Sequence, residues 1–396
     1  MRVLFLTSRL PFPPDRGDKV RTHNLLRAFA ARHDVKLISF VDGGEPGEGE
    51  EILRQWCDVE TVHLPSFRSV LNAGAGLLRR LPLQACYYSS GEMSELVRSA
   101  LRDGCDALYV HLFRMAPFAL GALGDVHARA GRPATILDLT DAISREIELS
   151  LPRRRPLSRA VYTIEHRRVR SYEAAISPRF DDVWTISGAD ADIIRSAAPT
   201  SNVTVVPNGV DDSLFALGIP AERPVSVLFV GNFRVPHNVD AAAWLAGEIA
   251  PAVAAEVPGV EFVLAGAASD EVVLPERGVV WRRRGFVPAL KDVYGGAGVF
   301  AAPMRFAAGV QNKILEAMAA GLPVVTTSIA NAGLGARPDS ELLVRDGARA
   351  FADGIVDLLS KRELAGGIAE RGRAFVRERF TWDRALERLE EVSAGL

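Results

Sequence analysis

The sequence predicts an α/β protein made of two doubly wound parallel-sheet domains. Three observations carry that prediction. Short, continuous apolar runs recur along the chain, of the kind buried on both faces of a parallel sheet. Most of them lead into a segment with apolar residues at helical spacing, and the alternation starts afresh after residue 224. A length of 396 residues exceeds one ordinary core and suits two domains, and a hydrophobic content of 48% is enough to fill both.

In order, residues 2–7 (RVLFLT) form the first strand. The proline-rich loop 8–17 ends in Gly17, and residues 18–32 follow as a helix with Val20, Leu25, Leu26 and Phe29 on one face. Residues 35–41 and 58–64 are the second and third strands, with an acidic, glycine-rich solvated turn at 42–51. The stretch 66–88 is apolar, carries arginines and is short of acids. It reads either as a core segment or as an amphipathic lip resting on a membrane surface.

Residues 106–111 (DALYVH) make the fourth strand and leave His111 at its C-terminal end, where open α/β sheets bind ligands. The fifth strand, 135–139, is followed by Thr140 and Asp141. Asp138 and Asp141 are placed to bind ligand hydroxyls, or Thr140 or Asp141 caps a helix beginning at Ala142. Residues 153–172 form a basic amphipathic helix with Val161, Ile164, Val169 and Tyr172 turned inward. Its other face is solvated, or lies on an anionic lipid surface. After a sixth strand at 183–187, Ser187 and Asp190 read as a helix cap, so the Asp190-Ala191-Asp192 triplet needs no metal. Residues 203–206 are the seventh strand. Pro207-Asn208-Gly209-Val210-Asp211 and Phe215 come next, and 212–224 is the linker.

The second series opens with a strand at 225–230, the turn Gly231-Asn232-Phe233-Arg234 and a helix at 238–256. Strands at 260–266 and 279–281 precede an arginine run at 282–284. The organising stretch is 305–325. A buried strand at 298–303 enters a loop holding Gly309. Ile314, Leu315, Ala317, Met318 and Leu322 then repeat at helical spacing until Gly321 and Pro323 stop the helix before a strand at 324–327. The start of that helix is an anion site in waiting. Amides of Gly309, Val310 and Gln311 would face a phosphate, and Lys313 adds a formal charge. Glu316, about one turn further, is at a depth to accept from two sugar hydroxyls. A last strand at 342–344 and helices at 348–380 and from 382 complete the chain.

A formal charge of −2 gives no reason to expect nucleic acid as a partner. Three cysteines, Cys57, Cys86 and Cys105, show neither CxxC spacing nor histidine pairing, which argues against a disulfide framework and a zinc site. The first residues enter a strand without the pattern of a signal peptide, and no apolar run reaches the roughly 18 residues of a spanning helix. A cytoplasmic location with, at most, peripheral membrane contact is expected. No GxGxxG follows Leu6 or Val230, which argues against a dinucleotide oxidoreductase.

The stretch 305–325 resembles the donor-binding motif of the GT-B glycosyltransferases, in particular the retaining glycosyltransferase family 4 (group 1). In that family a carboxylate, seven spacers and a second carboxylate precede Ala-Met-Ala-x-Gly-x-Pro-Val-Val. Glu316 and the residues after it match, while the first carboxylate falls on Ala308. The Pro207 to Asp211 motif is a second signature at the proper separation. Gln311-Asn312-Lys313 ahead of Glu316 is similar to a subgroup associated with bacterial exopolysaccharide export.

The resemblance implies a GT-B fold, two Rossmann-like domains facing across a cleft. Residues 1–211 would be the acceptor side, residues 225–380 the nucleotide-sugar side, and residues 381–396 a helix crossing back. It implies transfer of a sugar from a nucleotide-diphosphate sugar to a glycan, lipid-linked or small-molecule acceptor, with retention, without a metal and with no cofactor beyond that co-substrate. His111 would face the donor sugar, Arg234 and Lys313 would neutralise the diphosphate, and Glu316 would hold the ribose. Gly17 and Arg16 would approach the donor phosphates, with Lys19, Asp138 and Asp141 on the acceptor side. Residues 285–287 would be a strand before a short helix contacting the base. With Ala308 in place of a carboxylate, the other reading is a nucleotide-sugar-binding, non-catalytic partner in polysaccharide assembly.

Overall fold

A computed structural model describes the chain apart from residues 15–16, 42–46, 65–80, 127–131, 155, 221, 276–277, 288, 290, 307–308, 384–386, 388–389, 392–393 and 395–396. Arg16, Ala308 and most of the expected lip at 66–88 therefore lie outside the described residues. The chain divides into two compact units, Met1–Pro207 with Ala385–Leu396, and Asn208–Arg384.

Among the described residues the first unit holds seven strands: β1 (Arg2–Thr7), β2 (Asp34–Val41), β3 (Asp58–His63), β4 (Ala107–His111), β5 (Ala134–Thr140), β6 (Asp182–Thr185) and β7 (Val203–Val205). Their order is β3-β2-β1-β4-β5-β6-β7, and every neighbouring pair is parallel. The chain winds one way from β1 to β3 and the other way from β4, so the topological switch lies between β1 and β4. Helix Gly17–Ala30 packs on this sheet through Leu25, Leu26 and Phe29. Phe5 of β1 meets Phe29 edge-on at 5.8 Å and stacks on Tyr109 of β4 at 4.3 Å.

The second unit holds β8 (Ser226–Val230), β9 (Glu261–Ala265), β10 (Val280–Arg284), β11 (Val299–Ala302), β12 (Val324–Thr326) and β13 (Leu343–Val344). The order β10-β9-β8-β11-β12-β13 is again wholly parallel, with its switch between β8 and β11. Helix Asn312–Ala319 buries Ile314, Leu315, Ala317, Met318 and Ala319, the face its spacing predicts. Gly209 lies so close to the chain's later course that a Cβ there would sit 2.5 Å from Trp382 Cγ. Val210 N donates to Phe380 O at 3.0 Å, and Asn208 Nδ2 donates to Asn312 Oδ1 at 3.2 Å. The Pro-Asn-Gly-Val-Asp segment thus ties the start of the 312–319 helix to residues 380–382.

Several expectations need correction. A helix, Glu48–Arg54, occupies part of the stretch read as a solvated turn. β10 runs through the arginine run, because it is an edge strand whose side chains reach solvent. Residues 285–287 consequently lie outside any strand. The helix expected at 238–256 breaks into Pro236–Trp244, a π turn at Leu245–Ile249 and Ala250–Glu256. Pro251, which has no N–H to give to the ladder, follows directly.

Helix Pro156–Ile176 is rotated from its expected setting: Glu165, Val169, Glu173 and Ile176 are buried, while Val161 and Ile164 are exposed. The two glutamates face inward because they cap other helices. Glu165 accepts from Leu83 N at 2.7 Å and Glu173 from Ser144 N at 3.3 Å. Neither Thr140 nor Asp141 caps the following helix, Ile143–Ser150, whose N-cap is Ala142 without a side-chain bond. Asp190 accepts from Ala142 N at 3.3 Å instead.

Candidate functional site

In the second unit the C-terminal ends of β8 and β11 converge on the start of the helix Asn312–Ala319. That helix begins three residues after Gly309, with Gln311 as its N-cap. Gly309, Val310 and Gln311 therefore form the approach to the helix, and its own first amides are those of Asn312 and Lys313. Gly309 has φ +62°, a conformation in which a glycine carries no Cβ penalty. By helix geometry the amides of Asn312 and Lys313 have no intrahelical carbonyl, and the dipole favours an anion there.

Lys313 Nζ donates to Asn238 Oδ1 and lies 5.5 Å from the Phe229 ring centre. Asn238 is nearly buried and donates its own amide to Asn232 O at 2.9 Å. The ammonium is thereby held over the end of β8. Burial lowers Lys313 to about 8, and Glu316 opposes that shift. One turn on, Glu316 Oε2 accepts from Tyr294 OH at 2.8 Å. Burial raises Glu316 above the ordinary carboxylate value, and the Tyr294 bond and Lys313 pull it back. His237 stands beside this group, 6.3 Å from Phe306 between ring centres. Burial and Lys313 bring it to about 4, so it is a neutral imidazole and not a second positive charge. Arg234 is not drawn into this cluster. Its side chain is 73% exposed and faces Glu271 at 3.7 Å.

In the first unit His111 ends β4, buried, with Nε2 3.3 Å from Thr140 Oγ1. Burial brings it to about 4 against the pull of Asp138 and Asp18. Asp138 is not available to an acceptor. Its carboxylate is fully buried and taken by Arg21 Nε at 2.6 Å, by Tyr109 OH and by Thr140 N at 2.9 Å. Arg21 also donates to Val206 O at 2.9 Å. Thr140, whose amide donates to Asp138, has a left-handed conformation, φ +65°, which non-glycine residues rarely adopt. Thr140 in turn meets His111.

Asp141 is half-buried, and its Oδ1 is buried without a hydrogen-bond partner among the described residues. Burial, then Asp190 and Glu146, raise it to about 8. Lys19 is half-buried on the first helix. Gly17 opens that helix with no atom within 4 Å of where a Cβ would be. Among the described residues no cluster of three or more His, Cys, Asp or Glu side chains could hold a metal.

Sequence reasoning missed Arg21, Asn238, Tyr294 and Arg114. The last, just beyond β4, donates to Ser8 Oγ beyond the end of β1 and to Gln84 Oε1 of the helix Leu83–Tyr87, both at 2.9 Å. A signal for Arg21 existed. It sits four and eight residues before Leu25 and Phe29, on the inward face, and Asp138 interrupts an otherwise apolar strand.

Two doubly wound sheets, one with an anion-facing helix start at its switch point, define a nucleotide-binding α/β protein. Residues 16–209 match the family model "Glycosyl transferase 4-like domain" and residues 224–361 match "Glycosyl transferases group 1". The chain belongs to these glycosyltransferases and has their GT-B fold.

HepE of Anabaena, in a crystal structure with UDP and glucose, is 17% identical with a TM-score of 0.69, each chain covered at 100%. Sucrose-phosphate synthase of Thermosynechococcus elongatus is 18% identical, TM-score 0.67, with 98% of each chain covered. WaaG, a glycosyltransferase involved in lipopolysaccharide biosynthesis, is 15% identical, TM-score 0.67, covering 98% of this chain and 99% of that one. An uncharacterized 44.6 kDa protein in the cps region of Klebsiella pneumoniae is 27% identical over 164 residues. The match covers 39% of this chain and 42% of that relative, less than half the length of either.

Proposed function

We propose that this glycosyltransferase moves a sugar from a nucleoside-diphosphate sugar to a glycan or lipid-linked acceptor, with retention and without a metal, on the cytoplasmic side of the membrane. The observation that carries this is the pairing of Lys313, held by Asn238, with Glu316, held by Tyr294, one turn apart at the start of a helix on a topological switch. HepE, which shares the fold, was crystallised with UDP and glucose.

The chemical problem is charge. As the bond from the anomeric carbon to the diphosphate oxygen breaks, its electron pair goes to the diphosphate and the carbon becomes cationic. Lys313 and the amides of Asn312 and Lys313 stabilise the departing anion. Glu316 accepts from the ribose hydroxyls, leaving one oxygen for Tyr294. His111, a neutral imidazole at the C-terminal end of β4, can hydrogen-bond a sugar hydroxyl without adding positive charge there. The acceptor hydroxyl forms the new bond on the face the phosphate leaves, and its proton passes to the departing phosphate oxygen.

The test is a thermal-shift panel of UDP, GDP, ADP and dTDP on wild type and Glu316→Ala. One nucleotide series should stabilise the wild type and not the variant, and a variant that keeps the shift refutes the ribose assignment. Slow donor hydrolysis without acceptor, lost in Glu316→Ala, separates an enzyme from a binding partner.

A further inference from the structure

We propose that the exposed face of helix Pro156–Ile176 docks on an anionic lipid bilayer, which rests on the reading above only in giving a lipid-linked acceptor a place to meet the enzyme. Leu157, Val161 and Ile164 are 84%, 45% and 54% exposed. Their spacing of four and three residues puts them in one stripe along the first turns of the helix. Arg168 continues the stripe one turn further, and Arg167 lies beside it. Exposed Arg159 and Arg170 lie roughly 150–170° round the helix from the stripe, so Arg167 and Arg168 alone form its basic edge. The only acids on this helix, Glu165 and Glu173, are buried.

The concentration of charge is local, since the whole chain carries −2. Exposed Leu81 adds to the same region, because the backbone two residues later, at Leu83, is bonded to Glu165 of this helix.

The combination selects a lipid surface over a protein. An apolar stripe edged by arginines fits the boundary of an anionic bilayer, with side chains below the headgroups and guanidinium groups among the phosphates. Among the described residues no helix is long and apolar enough to cross a membrane, so this attachment is peripheral.

The experiment is flotation of the full chain with vesicles of phosphatidylcholine alone or with about 30% phosphatidylglycerol, at low and high salt. Binding is expected only to the anionic vesicles and should weaken with salt. Arg167→Ala with Arg168→Ala should reduce it about 30-fold, and Leu157→Ser with Ile164→Ser at least about tenfold. Both variants should keep the wild-type melting temperature and the wild-type response to nucleotide.

Equal binding to neutral vesicles, no binding to either, or unchanged binding by both variants overturns the proposal. So does a dimer in light scattering that Leu157→Ser dissolves, which would assign the face to a second copy. The nucleotide panel on the wild type fails or succeeds independently, so loss of the donor reading and loss of the lipid reading are distinguishable.

Discussion

Donor binding should draw a proton onto Lys313. Its ammonium is lowered to about 8 by burial, with Glu316 opposing. A diphosphate within hydrogen-bond reach holds that proton, so the complex takes one up wherever free Lys313 is partly neutral. If the bound form stays protonated, the dissociation constant for UDP, or whichever nucleotide binds, follows the neutral fraction. It should be about twofold larger at about pH 8 and about tenfold larger at about pH 9 than near pH 7. His237, at about 4, does not titrate in this range.

Isothermal calorimetry at about pH 8 in two buffers of different ionisation enthalpy should show uptake of about half a proton. A Kd flat from about pH 7 to 9, or the same slope in Lys313→Met, would refute the assignment. The lysine also has a stability signature. Its folded value lies below its unfolded value of 10.5. The unfolded chain therefore binds more protons between about 8 and 10.5, and stability rises with pH across that window. The shift corresponds to a ceiling of about 3 kcal/mol, reduced by partial exposure and by the Glu316 partner. Lys313→Met should accordingly stabilise the nucleotide-free protein at neutral pH by about 1–2 kcal/mol while abolishing nucleotide binding.

Three other outcomes follow from the geometry. Arg21→Met leaves Asp138 buried without its cation and should cost about 3–5 kcal/mol in chemical denaturation. In Arg21→Met with Asp138→Asn much of that loss should return. Asp141, raised to about 8, holds in the folded state a proton the unfolded chain has released, so it lowers stability as pH climbs from about 4 to 8. Asp141→Asn should match wild type near pH 4 and exceed it by about 2–3 kcal/mol near pH 9, read from urea midpoints, since Asp190 and Glu146 share the effect. Gly209→Ala drives a methyl into Trp382 and should lower stability by about 1–3 kcal/mol, with a smaller nucleotide-induced thermal shift because Asn208 beside it is bonded to Asn312.

The strands and the helix after Gly309 were legible because they depend on local pattern. Continuous apolar runs have no second way to be buried, and Gly321 with Pro323 stops a helix whatever surrounds it. Lys313 and Glu316 were visible for the same reason, since three residues on one helix fix their relative position.

What the sequence left undecided were the partners of charges. Asp138 has the composition of an acceptor ligand, and only Arg21, 117 residues earlier, makes it a buried structural anion. Glu165 and Glu173 look like the wet side of the helix Pro156–Ile176, yet distant backbone amides at Leu83 and Ser144 turn them inward and rotate Val161 and Ile164 out. A buried charge costs several kcal/mol until a specific group far along the chain meets it. Hydrophobic periodicity is a property of neighbours in sequence. Charge compensation is a property of neighbours in space, which only the tertiary fold supplies.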